Sequence, residues 1–168
     1  MPFRQTGSIL AALVSSVVPF MLKTGDNPEG TEPAAFEAMT KGMTEDRAKF
    51  FRGFFKDFFG VGMLAHPVSD EMLQWARTDS MQSGLSATLG CAKSFATTDF
   101  RSDLAAFKVP TLIIHGTADK TVPINASGRA AAKGIANSML IEYEDARHGL
   151  FATHKARLTQ NLLTFLRE

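Results

Sequence analysis

Apolar and polar positions along the chain change their spacing in blocks, and these blocks predict one strand, then several helices, then two strand–helix pairs. An apolar run from Ile9 to Leu22 contains a segment, Ala11 to Ser15, that is typical of a buried strand followed by a loop. The same run follows Arg4 and therefore also resembles the hydrophobic part of a secretion signal. The strand is favoured, because no small-x-small cleavage site follows and the run is too short for a membrane span.

The middle of the chain has the three-to-four-residue spacing of helices. Pro33 stands in the first turn of a predicted helix that extends to about Gly60, and a stripe of phenylalanines lies along its second half. Such a stripe is most often simple core packing. A second helix is predicted after Pro67 with Ser69 as its cap, and a third in the small-residue-rich stretch 83–99.

In the last third of the chain the apolar residues are spaced differently. The segment VPTLIIHG is β-branched and apolar, and it predicts a fully buried strand at Thr111 to Ile114. A helix with Asn125 as candidate cap, a strand at Met139 to Tyr143 and one amphipathic closing helix follow. Strand, helix, strand, helix at this spacing predicts an α/β fold with a parallel sheet and right-handed crossovers.

The composition excludes several classes of function and says little about the fold. The 18 basic and 17 acidic residues leave a net charge of +1, so no basic surface points to nucleic acid. The single cysteine, Cys91, excludes an intrachain disulfide and is expected to be a packed residue on a helix. The four histidines lack the spacing of metal ligands. We expect a cytoplasmic protein without metal, cofactor, nucleic-acid partner or membrane contact.

Two loops at the carboxyl ends of the last two predicted strands carry residue types that catalyse reactions. Asp119 follows the strand at 111–114, and His148 follows the strand at 139–143. Adjacent parallel strands would bring both loops to one edge of the sheet. A carboxylate beside an imidazole fixes the ring tautomer and stabilises the imidazolium that forms when the ring takes a proton. Each residue alone is typical of a surface turn, but their equivalent positions favour an acid–base pair.

Three stretches carry a resemblance to a known family: ALVSSVVPFMLKTGDNPEG, TTDFRSDLAAFKVPTLIIHGTADKTVPINASGR and RHGLFATHKARLTQNLLTFL. From about Leu10 onward the chain resembles the carboxyl-terminal half of an α/β-hydrolase. Within that superfamily it is similar to the cofactor-free (non-haem) haloperoxidases, or chloroperoxidases, and to related arylesterases. The resemblance implies a partial α/β-hydrolase fold with about three parallel strands, flanking helices and a helical cap.

The same resemblance implies a division of the chain and a set of site residues. Residues 1–19 would hold the first core strand, 20–98 the helical cap, and 99–168 the last strand–helix–strand–helix part of the core. Asp119 would be the triad acid and His148 the triad base. The candidates to line a pocket for a small ester or acyl substrate are Phe20, Trp75 and Val122.

The sequence lacks the nucleophile turn Gly-x-Ser-x-Gly that this superfamily uses. The nearest match is GLSAT, in which Ser86 precedes Asp119 as the order demands, but Thr88 replaces the closing glycine and no apolar strand comes before it. Ser8 lies before a strand and not after one. We therefore expect the nucleophile and the oxyanion hole to lie in a missing amino-terminal half, and the chain alone to be inactive.

Two hypotheses of different kind remain. The chain is the acid–base part of a serine esterase or perhydrolase, or it is a non-catalytic binding module. In the second case the strand at Ala11 to Ser15, lacking an upstream neighbour, would form an open edge along which two copies pair.

Overall fold

A three-stranded parallel sheet forms the centre of the molecule, whose computed structural model describes residues 9–167. The strands are β1 (Ala11–Val14), β2 (Thr111–Gly116) and β3 (Ser138–Tyr143), and they lie in the order β1-β2-β3. Thr111 of β2 is paired with Ala11 on one side and with Ser138 on the other. The predicted strands and the parallel α/β architecture are confirmed.

Three helices follow β1 in the sequence and precede β2: α1 (Pro33–Phe59), α2 (Asp70–Gln82) and α3 (Leu85–Thr97). In the fold, α1 packs against both α2 and α3. Pro33 lies in the first turn of α1, and the Ser69 hydroxyl accepts a hydrogen bond from Met72 N at 3.2 Å, so both predicted helix starts are confirmed. The backbone of α1 is irregular at Asp46 (φ −152°, ψ 85°), where the carboxylate accepts a hydrogen bond from Lys49 N at 2.9 Å. Asp46 thus caps the second half of α1.

The carboxyl-terminal third alternates strands with shorter helices. A 3₁₀ helix (Arg101–Ala106) precedes β2, and α4 (Gly128–Gly134) connects β2 to β3. After β3 come α5 (Leu150–Thr153) and α6 (Lys155–Phe165). No helix among residues 9–167 has the length and apolar character needed to cross a bilayer.

Three local predictions are wrong. Asn125 does not cap α4, because its side chain bonds Glu29 and Arg129 instead, and the helix begins only at Gly128. The closing helix is not continuous, because the backbone at His154 (φ −129°) separates α5 from α6. Cys91 lies on α3 as expected but is exposed and not packed.

The core lies on both faces of β2, whose residues are all buried. On one face, Leu112 and Ile114 pack against Tyr143, Leu150 and residues of α6. On the other face, Ile113 packs against the 3₁₀ helix and α4. Burial on both faces explains why consecutive residues of β2 are apolar, as is usual in central strands of parallel sheets.

The outer edge of β1 faces away from the sheet. Ala11 N donates to Pro110 O at 3.1 Å and Ser15 N to Ile114 O at 2.9 Å. Because bonding direction alternates along a strand, the backbone N–H groups of Ala12 and Val14 point away from β2. Both residues are exposed, so β1 presents an unpaired edge within the part of the chain that the structure describes.

Candidate active site

The loops after β2 and β3 meet at the carboxyl edge of the sheet. Ala118 N in the first loop donates to Ala146 O in the second at 3.1 Å, which holds the two loops together. Gly116, the last residue of β2, permits this approach: a Cβ atom there would lie 2.3 Å from Ala146 O. The two loops therefore present Asp119 and His148 to each other.

Asp119 and His148 form a direct hydrogen bond. Nδ1 of His148 lies 2.8 Å from Oδ2 of Asp119. Because an ionised carboxylate only accepts, Nδ1 carries the hydrogen and Nε2 of the neutral ring keeps its lone pair. Nε2 has no hydrogen-bond partner among residues 9–167, and the side chain is 18% exposed. The ring is thus oriented to accept a proton at Nε2.

The Asp119 carboxylate is buried, and each of its oxygens lies close to two nitrogen atoms. Oδ1 accepts from the backbone N–H groups of Thr121 and Val122, both at 2.9 Å. Oδ2 faces His148 Nδ1 at 2.8 Å and His115 Nε2 at 3.3 Å. Burial acts to raise the pKa of Asp119, but the contacts with His115, His148 and Val122 outweigh it and lower the pKa from 3.8 to about 2. Asp119 is therefore a fixed anion at neutral pH.

His115 is a member of this cluster that sequence reasoning missed. Its ring is fully buried in β2, and its Nε2 lies 2.9 Å from the carbonyl oxygen of Val122. The available signal was its position, four residues before Asp119 and directly after the apolar residues 112–114 of the strand. A buried polar side chain needs a hydrogen-bond partner, and the loop that follows the strand is where that partner lies.

The backbone around His148 is connected to two other elements. The Ser15 hydroxyl, at the end of β1, donates to His148 O at 3.2 Å. Gly149 N donates to Phe58 O at the end of α1 at 3.0 Å. The Phe58 ring also contacts the imidazole edge to face, with 4.7 Å between ring centres. Ser15 adopts a left-handed backbone (φ 46°), which is uncommon for serine and places its hydroxyl at this junction.

The predicted pocket residues have different surroundings. Val122 is buried at the site, since its backbone bonds both Asp119 and His115. Phe20 is buried beneath the guanidinium of Arg101, 4.9 Å from the ring centre. Trp75 is 60% exposed on α2. No hydrogen bond or ring contact joins Phe20 or Trp75 to the acid–base pair within residues 9–167, so their role as pocket residues stays a prediction.

A cavity of about 670 Å³ lies between α1 and α3, away from these residues. Apolar side chains, among them Phe36, Met39, Leu89 and Phe95, line it together with threonines and charged residues. None of the predicted site residues lines it. It therefore adds no group to the acid–base pair.

The serines considered as nucleophiles do not approach the base in the described part of the chain. Ser86 is exposed in the first turn of α3, with no strand before it. Ser8 lies outside the described residues. No serine or cysteine side chain within residues 9–167 forms a hydrogen bond with Nε2 of His148.

Comparison with known proteins identifies the same architecture. The family model described as the alpha/beta hydrolase fold matches residues 28–155. A Synechocystis sp. protein that carries a provisional non-heme chloroperoxidase name is 39% identical over 157 residues, covering 93% of this chain and 56% of its own. The bifunctional esterase/perhydrolase of Acinetobacter calcoaceticus is 33% identical, covering 94% of this chain and 57% of its own.

Among solved structures, the bromoperoxidase from Bacillus anthracis is similar with a TM-score of 0.90 and 36% identity. The match covers 95% of this chain and 58% of that one. The chain thus spans a little more than half the length of the relatives it matches. The family match over most of the sequence agrees with the sheet, its crossovers and the loop positions described above, and the chain belongs to the α/β-hydrolase fold family.

Proposed function

We propose that this chain supplies the acid and the base of a serine esterase or perhydrolase that acts on small esters or other acyl groups. The hydrogen bond between Asp119 and His148, at the carboxyl ends of two neighbouring parallel strands, carries the proposal. The names of the relatives, a non-heme chloroperoxidase and an esterase/perhydrolase, support the same reaction class.

In this reaction His148 transfers protons at Nε2. A serine hydroxyl attacks the ester carbonyl while His148 takes the hydroxyl proton, and the Asp119 carboxylate stabilises the imidazolium. The proton then passes from Nε2 to the departing alkoxide, and an acyl-enzyme remains. Water, deprotonated by His148, attacks the acyl-enzyme and releases the carboxylic acid, and His148 returns the proton to the serine oxygen; hydrogen peroxide in place of water releases a peracid.

The proposal places the serine and the oxyanion hole in a protein segment outside these 168 residues. The relatives' additional length supports that placement, and so does the edge of β1, which is unpaired within residues 9–167. Residues 20–98 would form the cap over the substrate, and Phe20, Trp75 and Val122 would line its pocket. Under this proposal the chain alone has no esterase activity.

A chimera tests the proposal directly. The part of the Bacillus anthracis bromoperoxidase that lies outside the match is joined to this chain, and hydrolysis of an aryl acetate and labelling by a fluorophosphonate probe are measured. We expect hydrolysis and labelling by the chimera and neither by the chain alone. Removing the base should lower kcat of the chimera by a factor of about 10³ or more, since triad members act as a unit.

Two controls sharpen the test. His148→Gln removes the base, whereas His66→Gln changes an exposed histidine in the loop before α2 and should leave kcat unchanged. A folded chimera whose kcat survives His148→Gln contradicts the role of His148. Stoichiometric labelling of the isolated chain at Ser86 contradicts the assignment of the nucleophile to another segment.

A second candidate function is a binding module that pairs two copies through β1. Among residues 9–167 the N–H groups on the outer edge of β1 have no partner, and this favours the module because an open edge is a template for another strand. Sedimentation equilibrium of the chain measures this directly. A discrete dimer that Val14→Lys dissociates supports the module, and a monomer excludes it.

A further inference from the structure

We propose that His115 is a positioning residue of the acid–base pair: it contacts the Asp119 carboxylate from the buried side and fixes the oxygen that His148 uses. Its meaning for catalysis rests on the proposed function above. The arrangement itself does not, because it can be measured in the isolated chain.

The partner of Nε2 defines the tautomer of His115. Nε2 lies 2.9 Å from the carbonyl oxygen of Val122, and a carbonyl oxygen only accepts. Nε2 therefore carries a hydrogen. The same nitrogen lies 3.3 Å from Oδ2 of Asp119, so the N–H is directed mainly at Val122 and makes a second, weaker contact with the carboxylate.

The other nitrogen of His115 lies close to Gly128. Nδ1 is buried and has no hydrogen-bond partner among residues 9–167. A Cβ atom at Gly128 would lie 2.9 Å from Nδ1, so the ring lies directly against the start of α4. A hydrogen on Nδ1 would have no acceptor there, which costs free energy in a buried site. Nδ1 lacks a partner in either neutral form, so the carbonyl oxygen of Val122 decides the tautomer and favours hydrogen on Nε2.

The position of His115 restricts the carboxylate. Both histidines face the same oxygen, Oδ2, while Oδ1 is bound by the backbone of Thr121 and Val122. Rotation of the carboxylate would break contacts at both oxygens together. We infer that loss of His115 leaves Oδ2 with a single donor and lets the Asp119–His148 distance vary.

Nuclear magnetic resonance of the 168-residue chain tests this inference. Long-range ¹H–¹⁵N spectra of the imidazoles report which nitrogen of His115 carries the hydrogen, and the Nδ1–H resonance of His148 reports its bond to Asp119. In the natural chain we expect hydrogen on Nε2 of His115 and a low-field Nδ1–H resonance of His148. Hydrogen on Nδ1 of His115 overturns the proposal without any variant.

Substitutions separate positioning from simple filling of space. His115→Leu keeps a buried side chain but removes the donor, and we expect the His148 resonance to move upfield and broaden. His115→Gln places an amide N–H near the former Nε2 and should restore much of the signal. His66→Leu, a change of the same type in an exposed loop, should leave it in place. An unchanged His148 resonance in folded His115→Leu overturns the proposal.

Gly128→Ala provides an independent perturbation, because its new methyl group pushes the ring of His115 without deleting it. We expect the same displacement of the His148 resonance as in His115→Leu, and no displacement contradicts the proposal. Failure of the chimera to hydrolyse esters, with these spectra as expected, would refute the proposed function and leave the positioning of Asp119 intact.

Discussion

Replacing Asp119 by asparagine should destabilise the fold and reverse the tautomer of His148. The amide keeps the size of the carboxylate, and its oxygen can still accept from Thr121 N and Val122 N. Its NH₂ group then faces Nδ1 of His148, which donates to Oδ2 in the natural chain, and Nε2 of His115, which lies 3.3 Å from Oδ2. His148 can respond by moving its hydrogen to Nε2, which removes the lone pair that the proposed reaction needs.

The size of the effect follows from the pKa of Asp119. A fall from 3.8 to about 2 in a fully buried carboxyl group corresponds to about 2 kcal/mol, at about 1.4 kcal/mol per pKa unit. Because the folded-state pKa is the lower one, this stabilisation is complete above about pH 4 and is lost as the pH falls towards 2. The amide of the Asp119→Asn variant cannot ionise, so the variant should lack this stabilisation at every pH.

Urea unfolding of both proteins at pH 7 and at lower pH measures this difference. We expect Asp119→Asn to be about 2 kcal/mol less stable at pH 7, with the gap narrowing below about pH 4. Asp57→Asn, an exposed change on α1, is the matched control and should shift stability by less than about 0.5 kcal/mol. Equal stability at pH 7, or a gap that does not narrow in acid, would refute the argument.

Two further predictions concern the loops and the sheet edge. Gly116→Ala should cost more than about 2 kcal/mol, because its methyl group would meet Ala146 O at 2.3 Å, whereas Gly53→Ala, with open space around it on α1, should stabilise by about 0.5–1 kcal/mol. The urea concentrations at the midpoint of unfolding measure both effects. Comparable effects of Gly116→Ala and Gly53→Ala would contradict the close approach of the loops. In hydrogen exchange of the monomer, the amides of Ala12 and Val14 should exchange faster than that of Ala11, which bonds Pro110 O. Protection of Ala12 and Val14 would show that the edge of β1 is paired.

The sequence predicted correctly those features that depend on a local residue pattern or on the general geometry of a parallel sheet. The apolar run predicted a buried strand, which β2 is, and parallel pairing with β3 brings the loops of Asp119 and His148 to one edge of the sheet. The cap at Ser69 was readable for a similar reason, since its hydrogen bond to Met72 is local in sequence.

The features that the sequence missed have different causes. Asn125 has the right residue type for a cap, but Glu29, far away in sequence, binds its side chain. The apolar spacing of the closing helix continues through His154, so the pattern does not reveal the break there. His115 was missed although its polar ring in a buried strand was a signal, because its partner oxygens become apparent only when the following loop folds back over it.

The junction at His148 limits how this protein can be recombined with its relatives. The backbone around the imidazole is bonded to Ser15 and to Phe58, which belong to the two segments that precede the last third of the chain. A graft of residues 99–168 into another hydrolase would carry both members of the pair but leave both of these bonds behind. Exchange of the helical middle for that of a homologue would likewise replace the ring that contacts the imidazole. Successful crossovers should therefore be those that move Ser15, Phe58 and His148 together.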